Sequence, residues 1–293
     1  MDADSNMAFS AASSGDFSFL NGSGNLDSFF AARDSEGNTL LHVLVSAGGL
    51  PLAPEKYVTK SSLLVENHVG ETVFQRAASR GLLKDIPARF MTYEMLVLRH
   101  LGNPIAHIAA EHGFLSQIPK KLITNALVFA GNRHAPSLIE CAIVGNCVGE
   151  LPEAVLTRTN FLTLDSSGND SLLHSAARVG LLNRLPRKLL VPKLLNTRNS
   201  DGETVLHAAA YGRCLDAIPT QYLKREFLLY RDNEHKTVLA SAVGCKEQLL
   251  GLHLPDITKQ LFGIDWWEQN NKILYGRRKL RPVICDGAEI EMF

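Results

Sequence analysis

The sequence predicts an all-α chain folded as a repeat solenoid of about seven short helical repeats, closed by a cap at each end. Similar segments headed by Thr39, Thr72, Pro104, Pro136, Ser171, Thr204 and Thr237 recur 32 to 35 residues apart. Slots within them keep their chemistry. Self-similarity at this period belongs to a stack of small supersecondary units, each burying its apolar face against its neighbours.

Two residues after each heading position stand Leu41, Phe74, Ala106, Leu138, Leu173, Leu206 and Leu239, all apolar. Three residues after it, histidine recurs at His42, His107, His174 and His207, with Gln75, Ile139 and Ala240 in the other copies. Small residues follow at Ala77-Ala78, Ala109-Ala110, Ala176-Ala177 and Ala209-Ala210, and Gly48, Gly81, Gly113, Gly145, Gly180 and Gly212 close the segment. Nine residues before each heading position the chain is again apolar, from Phe30 and Leu63 to Leu195 and Leu228.

Each slot has a mechanical reason. Gly37, Gly70, Gly102 and Gly202 lie in turn-rich stretches such as Asn199-Ser200-Asp201-Gly202, so the chain reverses there. A threonine hydroxyl, or a proline ring with preset φ, then starts a helix. Small residues let neighbouring helices approach closely, and the glycine ends the helix. Proline follows fifteen or sixteen residues after the heading position, at Pro54, Pro87, Pro119, Pro152, Pro186 and Pro219. Proline removes a helical hydrogen bond and clashes with the preceding turn, so a second helix is expected to break there. In the sixth copy this means a short turn through Leu215 to Ile218, then a short segment opened by Pro219 and running toward Leu228.

Thr204-Val205-Leu206-His207-Ala208-Ala209-Ala210, Thr39-Leu40-Leu41-His42 and Ser171-Leu172-Leu173-His174-Ser175-Ala176-Ala177 together resemble the ankyrin repeat. The resemblance covers residues 34–252, a divergent form with proline in place of a continuous second helix. Residues 1–33 are expected to be a degenerate, partly flexible N-terminal capping repeat, with Phe29-Phe30 near the register. Residues 253–293 are expected to hold a capping helix from Ile257 to Leu274, bearing Trp266 and Trp267, followed by a tail. The fourth copy carries Pro136 for threonine and Ile139 for histidine, and the next heading position comes 35 residues later. A local change in stacking is therefore expected near residues 139 to 165.

Thirty basic and thirty acidic residues give zero net charge, which offers nothing global to nucleic acid or an anionic membrane. No apolar run reaches the roughly 18 residues that a spanning helix needs, and the N-terminus lacks a basic start with an apolar stretch behind it. Cys141, Cys147, Cys214, Cys245 and Cys285 read as reduced thiols, so a cytoplasmic location is expected. The four histidines occupy one repeat slot with no ligand cluster around them, and the sequence holds no phosphate loop, nucleophile elbow or zinc-helix motif. Neither catalytic residues nor a metal, cofactor or small-molecule ligand are expected.

The resemblance implies a partner protein on the concave face, built from turn tips and the open side of the inner helices. Carried over by slot, it selects Arg76, Ser79, Arg80, Glu111, His112, Glu140, Arg178 and Tyr211, flanked by Ile108, Ile143, Val144, Ser175, Val179 and Ala208. These slots change from copy to copy while the core slots repeat. Arginine and tyrosine are common interface anchors. Turn-tip candidates are Asn67, His68, Glu71, Arg133, His134 and Glu203. The expected function is a non-enzymatic interaction scaffold, with melting unaffected by alanine at Arg76, Arg80, Arg178 and Tyr211. The alternatives are a nucleic-acid-associated protein using the basic run Tyr275 to Arg281, and a bacterial host-directed effector of the kind built on ankyrin arrays.

Overall fold

A computed structural model describes residues 3–22, 25–99, 102–131, 135–242, 283–285 and 288–290. The expected capping helix, the basic run, Arg133, His134 and Cys245 lie outside the described residues. By its contacts the chain divides into two compact units, Met1–Val155 and Leu156–Phe293. That boundary falls inside the segment where the sequence slots degrade.

The first unit holds α1 (Ala3–Ser13), α2 (Leu26–Ala31), α3 (Leu40–Ala47), α4 (Lys60–Leu63), α5 (Val73–Ser79), α6 (Tyr93–Leu96), α7 (Ile105–Glu111), α8 (Asn125–Val128) and α9 (Leu138–Val144). The longer helices pack in sequence order, α1 on α3, α3 on α5, α5 on α7 and α7 on α9. The second unit holds α10 (Arg158–Phe161), α11 (Leu172–Arg178), α12 (Pro192–Leu195), α13 (Val205–Tyr211), α14 (Arg225–Leu228) and α15 (Val238–Ser241). There α11 packs on α13, and α13 on α15. These helical residues agree with the all-α class. The tail adds an antiparallel hairpin, β1 (Val283–Cys285) and β2 (Ala288–Ile290), with Ile284 opposite Glu289.

The inner helices α3, α5, α11 and α13 start at a joint whose chemistry recurs. The Thr39 N–H and hydroxyl converge on His42 Nδ1 at 3.1 and 2.9 Å, and His42 Nε2 reaches the Glu71 carbonyl at 3.1 Å. A backbone N–H can only donate, so Nδ1 is the acceptor and the proton sits on Nε2, aimed at the next turn. His207 repeats the arrangement with Thr204 and the Lys236 carbonyl. His174 does so with the Ser171 hydroxyl and the carbonyls of Thr197 and Glu203. Gln75 closes the same box with its amide oxygen, which accepts from the Thr72 N–H at 2.9 Å. One ring thus caps its own helix and anchors the turn twenty-nine residues on.

The turns are fixed by a second recurring device. Oδ1 of Asp34, Asn67, Asn199 and Asp232 each accepts from backbone N–H groups two and four residues later. Successive turns then bond to one another, through His68 N–H to the Glu36 carbonyl and Asn233 N–H to the Asp201 carbonyl, both 2.9 Å.

The prolines act as their geometry requires. Ala53, Ile86, Ile118, Leu185 and Ile218 are extended, as the residue before proline prefers, and each following proline caps a three-residue 3-10 turn. Leu215–Ala217 and Thr220–Tyr222 form two such turns ahead of α14, matching the break expected at Pro219.

One register differs from the sequence expectation. α9 is capped by Ser137, whose hydroxyl accepts from the Glu140 N–H at 3.2 Å, so the heading position is Ser137 and not Pro136. With that shift, each of the six prolines stands fifteen residues after its cap residue. The extra residue moves into the turn before Ser171, where Asp165 to Asp170 is one residue longer than Asn199 to Glu203 and the Asp165 N–H reaches the Asp170 carbonyl at 2.8 Å.

Close approach is sharpest at two glycines. A Cβ on Gly145 or Gly212 would land inside the shell of the Ala110 or Ala177 carbonyl oxygen, which belongs to the preceding inner helix. Cys147 and Cys214 donate their thiols to those same carbonyls at 3.2 Å.

Gly145→Ala and Gly212→Ala are each expected to destabilise the fold by about 3 kcal/mol in urea titration, since backbone cannot yield as a side chain does. Gly168→Ala, where nothing stands in the way but φ is +74°, is expected to cost about 1 kcal/mol. His207→Leu leaves the Thr204 N–H and the Lys236 carbonyl without this ring and is expected to cost about 3 kcal/mol. His207→Gln, copying the box of Gln75, is expected to cost about 1 kcal/mol or less in the same titration.

Candidate functional site

The eight candidates fall on the C-terminal halves and starts of the inner helices. Arg80, Glu111 and His112 are exposed at the ends of α5 and α7, and Ser79 is half-buried beside Arg80. Arg178 is half-buried on α11, and Tyr211, at the end of α13, is 42% exposed.

Two candidates do different work from the one expected. Arg76 is only 9% exposed. Its Nε and Nη2 donate to Glu71 Oε2 at 2.9 and 2.7 Å, and Nη2 also donates to Asn38 Oδ1 at 2.9 Å. Asn38 in turn accepts from Asn67 at 2.9 Å and donates to Asp34 and Glu36. The guanidinium therefore ties α5 to two turns, and alanine there cannot leave melting unchanged. Glu140 occupies the histidine slot of its segment, a consequence of the Ser137 register, and is not on the outward stripe. By the same shift Ile143 takes a small-residue core slot, and it is buried like Ala208. Among the turn tips, Asn67 and Glu203 are buried and used in their own turns.

The second unit builds a cleft of about 470 Å³ from the same parts. Arg178 crosses its floor. Its Nε and Nη2 donate to Asp170 at 3.0 and 3.3 Å, Nη2 donates to Glu203 at 2.7 Å, and the guanidinium lies 5.8 Å from the Tyr211 ring centre. Asn199 links both acids, donating to Asp170 at 2.6 Å and to Glu203 at 3.3 Å. Burial works against the Asp170 charge, yet the hydrogen bonds from Arg178 and Asn199 hold its carboxyl below the usual range. Asp201, Asp232 and Glu234 complete the walls with Asn169 and Asn233. Five carboxylates thus line a cleft whose guanidinium is already held by two of them, and a third, Glu234, pairs with Lys236 at 2.7 Å. A cleft so charged attracts a cation, and the exposed Tyr211 face offers a surface for it.

Reasoning from the sequence found Arg178, Tyr211 and Glu203 but missed Asp170, Asp232 and Glu234. The signal lay in the turn Asp165-Ser166-Ser167-Gly168-Asn169-Asp170, one residue longer than Asn199-Ser200-Asp201-Gly202-Glu203. Asp170 stands directly before the cap residue, the slot that Glu71 and Glu203 hold in their own turns, and from there it reaches Arg178 on α11.

Among the described residues no group of histidine, cysteine and acidic side chains has the arrangement of a metal site. Cys141 and Cys147 are buried, and burial pushes their thiols up to about 12 and about 11, which disfavours the thiolate that a metal or a nucleophilic reaction needs. Among the described residues no helix is long and apolar enough to cross a membrane. No family model matches the chain, and comparison with curated proteins finds no significant similarity.

Arg76→Ala is expected to lower the unfolding free energy by about 3 kcal/mol, because Glu71 and Asn38 lose a buried partner. Arg80→Ala, on exposed surface, is expected to stay within about 0.5 kcal/mol; paired denaturant titrations distinguish the two.

Proposed function

We propose that this protein is a non-enzymatic binding scaffold with an ankyrin-type repeat architecture, working in the cytoplasm through contacts with another protein. The architecture is supported by the recurrence of the capped inner helix, the Asx-type turn and the broken return in register with the sequence period. A cytoplasmic setting agrees with three buried free thiols among the described residues.

The observation that carries the binding reading is the cleft between Arg178 and Tyr211. Its five carboxylates exceed its cations, and its polar floor is already tied down by Asp170, Asn199 and Glu203. A floor that is internally satisfied is preorganised, so a ligand does not have to order it. The partner this chemistry fits is a protein segment presenting a lysine or arginine, whose head meets the carboxylates and whose stem lies against the tyrosine ring. The exposed Arg80, Glu111 and His112 offer the first unit a separate polar contact surface.

Fluorescence anisotropy with a labelled arginine- and lysine-rich peptide and an acidic control peptide tests the reading. The basic peptide is expected to bind the full chain, more weakly as salt rises, while the acidic one does not. Asp201→Lys with Glu234→Lys, both exposed positions, is expected to weaken binding at least about tenfold with the melting temperature kept. Equal binding by wild type and the charge-reversed chain would remove the cleft from the proposal.

A further inference from the structure

α7 is joined to its turn differently from the neighbouring inner helices. Its cap residue is Pro104, which has neither an N–H nor a hydroxyl to offer the ring three residues on. His107 is fully buried, and neither Nδ1 nor Nε2 has a hydrogen-bond partner. The Val128 carbonyl lies near enough to favour a proton on the ring, yet outside hydrogen-bonding geometry. The bridge before α7 joins Arg99 to Pro104, where those before α3 and α5 join Arg33 to Thr39 and Glu66 to Thr72.

The charged group acting on His107 is Arg99, whose guanidinium donates to the Ala130 carbonyl and whose charge opposes protonation of the ring. On the helices packed against α7, the corresponding slots hold Gln75 on α5, which does not titrate, and Glu140 on α9. Tyr93 and Glu94 of α6 are exposed, and the 3-10 turn Leu115–Gln117 carries no ionisable side chain.

We propose that the Pro104–His107 joint is an acid-operated opening point in the unit Met1–Val155. A ring that gains a proton there has a charge and two donors, with the Val128 carbonyl near but outside hydrogen-bonding geometry, so α7 detaches ahead of α3 and α5. Opening displaces Glu111 and His112 whether or not they touch a partner.

Burial is the main cause holding His107 down to about 4, against the usual 6.5. The opened segment regains the ordinary value and takes the proton first. Protection of α7 is therefore complete above about 6.5 and falls as the pH drops toward about 4, by up to about tenfold for each pH unit. Burial also lowers His42, and the charges of Arg76 and Arg33 add to it, but the hydrogen bond to the Glu71 carbonyl and the Glu71 carboxylate favour the charged ring, so the α3 joint responds less.

Site-resolved hydrogen exchange on the full chain from pH 7 to pH 4, expressed as protection factors, tests the proposal. Peptides covering 104–128 are expected to lose about tenfold or more of their protection at a pH where those covering 40–47 and 73–79 keep theirs. His107→Leu is expected to abolish the step, and Pro104→Thr, which restores the N–H and hydroxyl, to shrink it. Parallel loss at α3, α5 and α7 in the wild type overturns the proposal. So does a step that survives His107→Leu, or, where that variant fails to fold, one undiminished in Pro104→Thr.

Discussion

The interaction on which the rest depends is the imidazole shared between a helix start and the following turn. At the beginning of α3 and α13, one neutral ring accepts from the cap residue and donates to a carbonyl of the next turn. The cap N–H is buried and the carbonyl partly buried, and a buried backbone donor is costly to leave alone. Because the ring is rigid, the joint sets the spacing between one turn and the next as well as the start of the helix. The Asx-type turns, the alanine contacts and the close approach at Gly212 all presuppose that spacing.

The same arrangement explains why charge along the inner helices is so often spent within the protein. A turn held by an aspartate or asparagine puts a carboxylate or amide beside the next helix. An arginine on that helix then becomes a tie between segments. Arg76 reaches back to Asn38, and Arg178 reaches forward to Glu203 and, across its own turn, to Asp170. Variation between copies at these slots therefore reflects local partners as well as solvent or a ligand.

Local features were legible in the sequence and long-range pairing was not. Thr39, Thr72 and Thr204 declare helix starts through their own hydroxyls, and each proline breaks the chain through its own ring. Pro136 misled because proline also suits the start of a helix; only the bond from the Glu140 N–H to Ser137 separates the two registers. A slip of one residue there exchanged a box residue, Glu140, for a surface one, and a core residue, Ile143, for an outward one. Arg76 was read as a surface anchor because its partner Asn38 lies thirty-eight residues away, beyond any local pattern. The link between Asp170 and Asn199 spans twenty-nine residues and is equally beyond a local pattern.

Arg76 and Arg178 occupy related slots with opposite consequences. Around Arg76 the acceptors are one carboxylate and one amide oxygen, the side chain is 10% exposed, and the charge is consumed by the fold. Around Arg178 the bound carboxylates already outnumber the guanidinium, the side chain is 37% exposed, and further carboxylates stand in the wall above it. The difference lies in what the neighbouring turn supplies: Asn38 brings an amide oxygen to Arg76, and Glu203 a carboxylate to Arg178. With Asp170 and Glu203 both bound to Arg178, Asp201 accepts from Asn169 and Glu234 pairs with Lys236. A tie between segments thereby becomes the floor of a cleft in which carboxylates outnumber cations, and that excess is held in place by satisfied hydrogen bonds.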